Sequence, residues 1–75
     1  MKIHVKIVGY LIYHAGFSEK ELEISQPITA ENLLSLINLK KEMPKIMTRN
    51  GKAISSSDKL KNEDRVVIAP LYSGG

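Results

Sequence analysis

Seventy-five residues, 43% of them apolar and 25% charged, suit one domain with one thin core, because a chain of this size buries only about 60% of the surface it would expose unfolded. That leaves little room for a deep enclosed site and argues against a self-contained enzyme, while the absence of cysteine excludes disulfides, thiolate metal centres and a sulfur relay through a thiol of its own. The net charge of +3 is uneven: residues 1–38 set Lys2, Lys6 and Lys20 against four glutamates, whereas residues 39–75 set eight Lys or Arg against four acids.

The chain opens with Ile3, Val5 and Ile7 alternating with Lys2, His4 and Lys6, a period of two that predicts a strand with one buried and one wet face. Val8 falls on the wet face. Tyr10 to Phe17 is apolar without clean alternation and reads as a long turn. Leu22 and Ile24 again alternate with charges, predicting a second strand that ends at Pro27.

Thr29 is placed to cap a helix, its hydroxyl accepting from a first-turn amide, and Glu31 suits the positive end of the helix dipole. Leu33, Leu34 and Ile37 form the apolar stripe with Leu36 beside it; Ala30, Ser35 and Asn38 are expected to face outward. Asn38 is a reasonable stop. Pro44 opens a third strand over residues 45–49, and Asn50-Gly51 is a strong hairpin signal because a type I′ turn needs positive φ at both positions. Lys52-Ala53-Ile54 would return.

Ser55-Ser56-Ser57-Asp58 has loop composition, and with no histidine near it in sequence a nucleophile cluster is not expected there. Leu60 reads as a plug beneath the loop. Residues 65–69, Arg-Val-Val-Ile-Ala, make an apolar last strand. His4 and His14 sit on different elements without supporting carboxylate or thiolate spacing, so no metal site is expected. Tyr10, Tyr13, Phe17 and Tyr72 are not interleaved with the basic residues, so neither is nucleic-acid binding. No run reaches the roughly 18 apolar residues of a membrane span, and the alternating start does not build a signal-peptide core. A cytoplasmic location without membrane attachment is expected.

The chain ends Pro70-Leu71-Tyr72-Ser73-Gly74-Gly75. Two glycines without side chains can enter a slot that admits only backbone, and six extended residues reach roughly 20 Å at about 3.3–3.6 Å each. A frayed terminus is the plain alternative.

Taken together, the elements predict an α+β domain of order β-β-α-β-β-β, a mixed sheet wrapped around one helix over residues 1–69, with residues 70–75 as a flexible tail. The arrangement resembles the β-grasp, ubiquitin-like fold, and the ending from Val66 to Gly75 resembles the small sulfur-carrier proteins of molybdopterin and thiamin biosynthesis, the MoaD/ThiS-like family. The likeness spans the chain: a first strand, a loop closing with Ala15-Gly16, a Thr-led helix rich in Leu, an Asn-Gly hairpin, and an apolar strand running through Pro70 into Gly-Gly. Three positions depart from it. Glu63-Asp64 stands where the family commonly has Gly-Asp, Ala69-Pro70 where molybdopterin-type members often have Pro-Pro, and Ile12-Tyr13 where those members often have Arg-Glu.

The resemblance implies a carrier that is no enzyme itself and binds no cofactor tightly. A partner enzyme would use ATP to adenylate Gly75, and a sulfur donor such as a cysteine desulfurase would convert it to a thiocarboxylate. The large subunit of molybdopterin synthase, or thiazole synthase, would then receive the sulfur. Gly74, Ser73, Tyr72, Leu71 and Pro70 would thread the partner's channel, and Val8, Val67 and Ala69 on the exposed sheet face would form a docking patch. Two other readings share the fold: a ubiquitin-like modifier joined to lysines through Gly75, and an interaction domain with an inert tail.

Overall fold

A computed structural model describes residues 1–40 and 42–72. In chain order the elements are β1 (Lys2–Ile7), α1 (Leu11–Ala15), β2 (Glu19–Glu23), α2 (Ala30–Leu36), β3 (Lys45–Arg49), β4 (Lys52–Ala53) and β5 (Arg65–Pro70). Among the described residues the strands form one five-stranded mixed sheet of order β2-β1-β5-β3-β4. The first and last strands pair in parallel at its centre, with His4 opposite Arg65 and Ile7 opposite Ile68, while β2 flanks β1 and β3 flanks β5, both antiparallel. This is the β-grasp architecture predicted from the sequence.

Alternation decides which side chains enter the core. Ile3, Val5 and Ile7 of β1, Val66 and Ile68 of β5 and Met47 of β3 point inward and are buried against Leu33, Leu34 and Ile37 of the α2 segment. Thr29 caps α2 in a reciprocal box: its Oγ1 accepts from Asn32 N, and Asn32 Oδ1 accepts from Thr29 N, both at 3.2 Å, so two otherwise orphaned donors are satisfied. At the other end Asn38 takes a left-handed φ of 62°. There Leu39 N donates to Leu34 O and Asn38 N to Ser35 O, a Schellman closure that turns buried Leu39 under the helix.

Three expectations are corrected. The connection after β1 is no plain turn, because residues 11–15 coil into α1, anchored by fully buried Leu11 and stopped by Gly16 at φ 85°. Ala30 does not face outward. It is fully buried because the spacing 30, 33, 34, 37 places it on the same helical stripe, and its small side chain lets the helix start lie close to the core. Leu36 instead faces solvent, one residue off that stripe.

The remaining local signals hold. Asn50 and Gly51 take φ of 51° and 88° between paired Arg49 and Lys52, and Leu60 is buried, its N–H donating to Ile28 O. The serine loop caps α2 from outside: Asp58 O accepts from Ala30 N and Ser56 O from Glu31 N, both at 2.9 Å. Its own turn is closed by Ser55 N donating to Asp58 Oδ2. Asp64 is the one buried acid among the described residues, 5% exposed, and its carboxylate accepts from Lys61 N at 2.7 Å and Asn50 Nδ2 at 3.2 Å.

Just before it, Glu63 holds φ of 70°, the left-handed region that disfavours a Cβ. Glycine, which the family resembled in sequence commonly has at this position, would take that φ without a Cβ. Replacing Glu63 with Gly is expected to raise the melting temperature by a few degrees, the shift that about 0.5–1 kcal/mol gives a domain of this size; calorimetry checks it. In the opposite direction, Ile68→Ala, which empties the centre of the core, is expected to cost about 3 kcal/mol in urea unfolding with an unchanged m-value.

Candidate functional site

The site begins where β5 ends. β5 is hydrogen-bonded on both sides, to β1 and to β3, so the segment leading to the C-terminus is rooted in the middle of the sheet. Pro70, assigned to the tail from sequence, is the last residue of that strand and pairs with Lys45. Leu71 follows, its N–H donating to Pro44 O at 3.3 Å. Leu71, 49% exposed, helps line a groove with Leu34, Met43, Pro44, Met47 and Ile54, with Glu42, Lys45 and Ser56 at its polar positions. Tyr72 is 66% exposed. Ser73, Gly74 and Gly75, on which the predicted chemistry rests, lie outside the described residues.

The outer face of the sheet meets this exit. Val67 pairs laterally with Lys6 and Thr48, Ala69 pairs with Ile46, and Val8 follows Ile7, the partner of Ile68. Val8 is 40% exposed; Val67 and Ala69 are half-buried on the same face. The register therefore brings the three predicted patch residues together and adds one that sequence reading missed. Ile46, 44% exposed, sits beside Ala69 and enlarges the apolar area. Adjacent Ile46 and Met47 in one strand must point to opposite faces, which was the available signal.

Away from the exit the face is charged. His4 Nδ1 lies 3.3 Å from Glu21 and its Nε2 3.5 Å from Glu63, with Lys2 Nζ 3.7 Å from Glu21, a half-exposed cluster of small energetic weight. His14 is far from it in the chain and stacks edge-on against Tyr10 with ring centroids 6.3 Å apart. Among the described residues no group of three His, Cys, Asp or Glu could hold a metal ion. No described helix is long and apolar enough to cross a membrane.

A cation underpins the loop beside the exit. Lys45 Nζ donates to Lys40 O and Met43 O, and burial lowers its pKa from the ordinary lysine value, with nearby Glu42 partly opposing the shift.

A family model described as the ThiS family matches residues 5–75. The chain belongs to that family. Its members are ubiquitin-fold sulfur carriers and modifiers, small carrier proteins as opposed to enzymes. No curated protein matches the chain by sequence. Among solved structures, this ThiS-family chain is similar to SAMP1 from Haloferax volcanii at 19% identity, covering 100% of both chains with a TM-score of 0.79. It is also similar to a putative molybdopterin converting factor, subunit 1, from Pyrococcus furiosus, at 23% identity over 96% of this chain and 99% of that one, TM-score 0.78. A chain of the Amycolatopsis orientalis BexX/CysO complex matches at 19% identity over 97% and 99%, TM-score 0.69. At these identities the likeness is one of fold.

The Lys45 shift fixes a pH dependence. Between its lowered folded pKa and the unfolded value near 10.4 the unfolded chain binds more protons, so stability gained from this group rises with pH across that window. Urea titrations at pH 8 and at pH 10.5 are expected to show the wild type gaining relative to Lys45→Met, whose side chain does not titrate.

Proposed function

We propose that this protein is a sulfur carrier acting through the Gly75 carboxylate. The observation that carries the reading is that the family match runs through residue 75 and so includes the diglycine, on a chain whose last strand is central to the sheet. A rooted strand that ends in a bare-backbone segment can be gripped by a partner without loosening the domain.

The chemistry belongs to the partners. A carboxylate is a poor electrophile; in an ATP-dependent activating enzyme its oxygen would attack the α-phosphorus, pyrophosphate would leave, and the acyl-adenylate would form. Sulfur from a donor such as a cysteine desulfurase would then attack the acyl carbon, and AMP would depart with one carboxylate oxygen. A persulfide donor would need a second thiol to cleave the S–S bond and leave the thiocarboxylate. That soft anionic sulfur would be delivered inside a second partner, of the molybdopterin-synthase large-subunit or thiazole-synthase type. Val8, Ile46, Val67 and Ala69 would dock, and Pro70 to Gly74 would enter the channel, with Pro70 limiting the disorder lost on binding. ATP is consumed at the activating enzyme and no cofactor resides on the carrier.

One observation favours a second reading. A solved structure of similar fold is named small archaeal modifier protein 1, and the same adenylate attacked by a lysine amine would give an isopeptide.

Intact mass of the protein isolated from its own cells, and again after incubation with ATP, a sulfur donor and the activating enzyme, tests the carrier reading. A gain equal to exchanging oxygen for sulfur, abolished by deleting Gly75, is the expected result. Higher-mass conjugates on lysines without that gain would select the modifier. Val8→Asp combined with Val67→Asp is expected to weaken binding to the activating enzyme at least about tenfold while leaving the melting temperature within a few degrees; unchanged binding would remove the docking patch.

A further inference from the structure

The turn that leads from β1 into the short helix α1 has no role in the chemistry above, yet its Gly9 meets Pro70 at the end of β5. Leu11 is fully buried and fixes α1, and Ile12 N donates to Gly9 O at 3.2 Å, so Gly9 is held at the helix start. Gly9 has φ of 69°, and a Cβ built there would lie 3.1 Å from Pro70 Cγ and 3.3 Å from Cδ. The bare α-carbon is thus a seat for the proline ring.

The ladder explains why the ring sits there. Val8 N donates to Ile68 O at 2.9 Å, and in a parallel pair the next bond would run from the N–H of residue 70 back to β1. Proline has no N–H. Pairing with β1 therefore stops at this residue, and packing on Gly9 takes its place. On the other side, Leu71 N donates to Pro44 O, and Pro44 lies in the loop that Lys45 ties through the Lys40 and Met43 carbonyls.

We propose that Gly9 is a positioning residue, which together with the Pro44 carbonyl clamps the exit of the tail at Pro70-Leu71. The proposal rests on the carrier reading for its purpose. With the clamp closed the tail starts after Leu71; opened back to Ala69 it starts two residues earlier, about 7 Å longer at about 3.3–3.6 Å per residue, with more freedom to lose on entering a channel. The clamp sets both the length of the tail and its cost of docking.

Backbone ¹⁵N relaxation of the whole chain reads the clamp directly. In the wild type Leu71 is expected near the rigid-backbone order parameter of about 0.85, and in Gly9→Ala below about 0.6. Strain from φ at residue 9 would act whatever stands at position 70, so the decisive comparison repeats Gly9→Ala in a Pro70→Ala background, where the ring it meets is gone. A much smaller further loss of order there supports the clamp. An equal loss in both backgrounds, or an unchanged Leu71, overturns it.

Should Gly9→Ala not fold, Gly9→Asn, a residue type that tolerates a left-handed φ and still sets a Cβ against the proline ring, must loosen Leu71; a rigid Leu71 in that variant overturns the clamp. For its purpose, ATP–pyrophosphate exchange is measured with an activating enzyme purified from the source cells by its exchange activity on the wild-type chain. Gly9→Ala is expected to raise KM for the carrier about tenfold with kcat within about twofold, the signature of lost preorganisation; an unchanged KM overturns that role. No exchange activity on the wild-type chain would overturn the carrier reading, leaving the clamp to be decided by Leu71.

Discussion

The parallel pairing of β1 with β5 is the constraint from which the rest follows. It joins residues 61 apart in the chain, as His4 opposite Arg65 shows, and closing so long a loop is entropically costly before any contact repays it. The repayment comes from the two strands' inner faces, where Ile3, Val5, Ile7, Val66 and Ile68 are all buried together. Everything else is arranged around that seam. α2 covers its inner side, β2 and β3 extend it laterally, and the chain's end emerges from its top.

The opposite end of the seam is closed by polar groups. Asn50 donates its backbone N–H to Arg65 O and accepts from Arg65 N through Oδ1, while Asp64, whose own carbonyl accepts from His4 N, receives Asn50 Nδ2. The β3–β4 turn is thereby tied to the start of β5 and to β1 at one point. A buried carboxylate is tolerable there because its oxygens are met by donors. The left-handed Glu63 delivers Asp64 to that position, so local backbone strain is offset by a satisfied buried acid.

Much of this was legible because the signals were local. Thr29, Pro44 and Asn50-Gly51 each act on backbone groups within a few residues, and each did what its chemistry dictates. Alternation placed the inner faces of β1 and β5 and, with them, Val8, Val67 and Ala69 on the outer face. α1 escaped because five residues are too few for a helical period; the glycines at 9 and 16 that bracket it were its only punctuation. Ala30 escaped because a small residue weighs little in an apolar stripe, although its spacing belonged to it. The left-handed φ of Glu63 could not be read from its own residue type, and the nearness of Gly9 to Pro70 depends on a pairing between chain ends that no local pattern encodes. The diglycine was legible from composition and resemblance alone, since the role proposed for it is completed in a partner.

The last strand is interior, hydrogen-bonded to β1 on one side and β3 on the other. A nascent or proteolysed chain stopping before Arg65 would leave β1 and β3 without the neighbour that joins them, and neither the core nor the outer apolar face would assemble. An incomplete copy would therefore present none of the outer apolar face on which Val8, Ile46, Val67 and Ala69 meet. The position of one strand in the sheet makes assembly of that face a check that the chain has been made through β5.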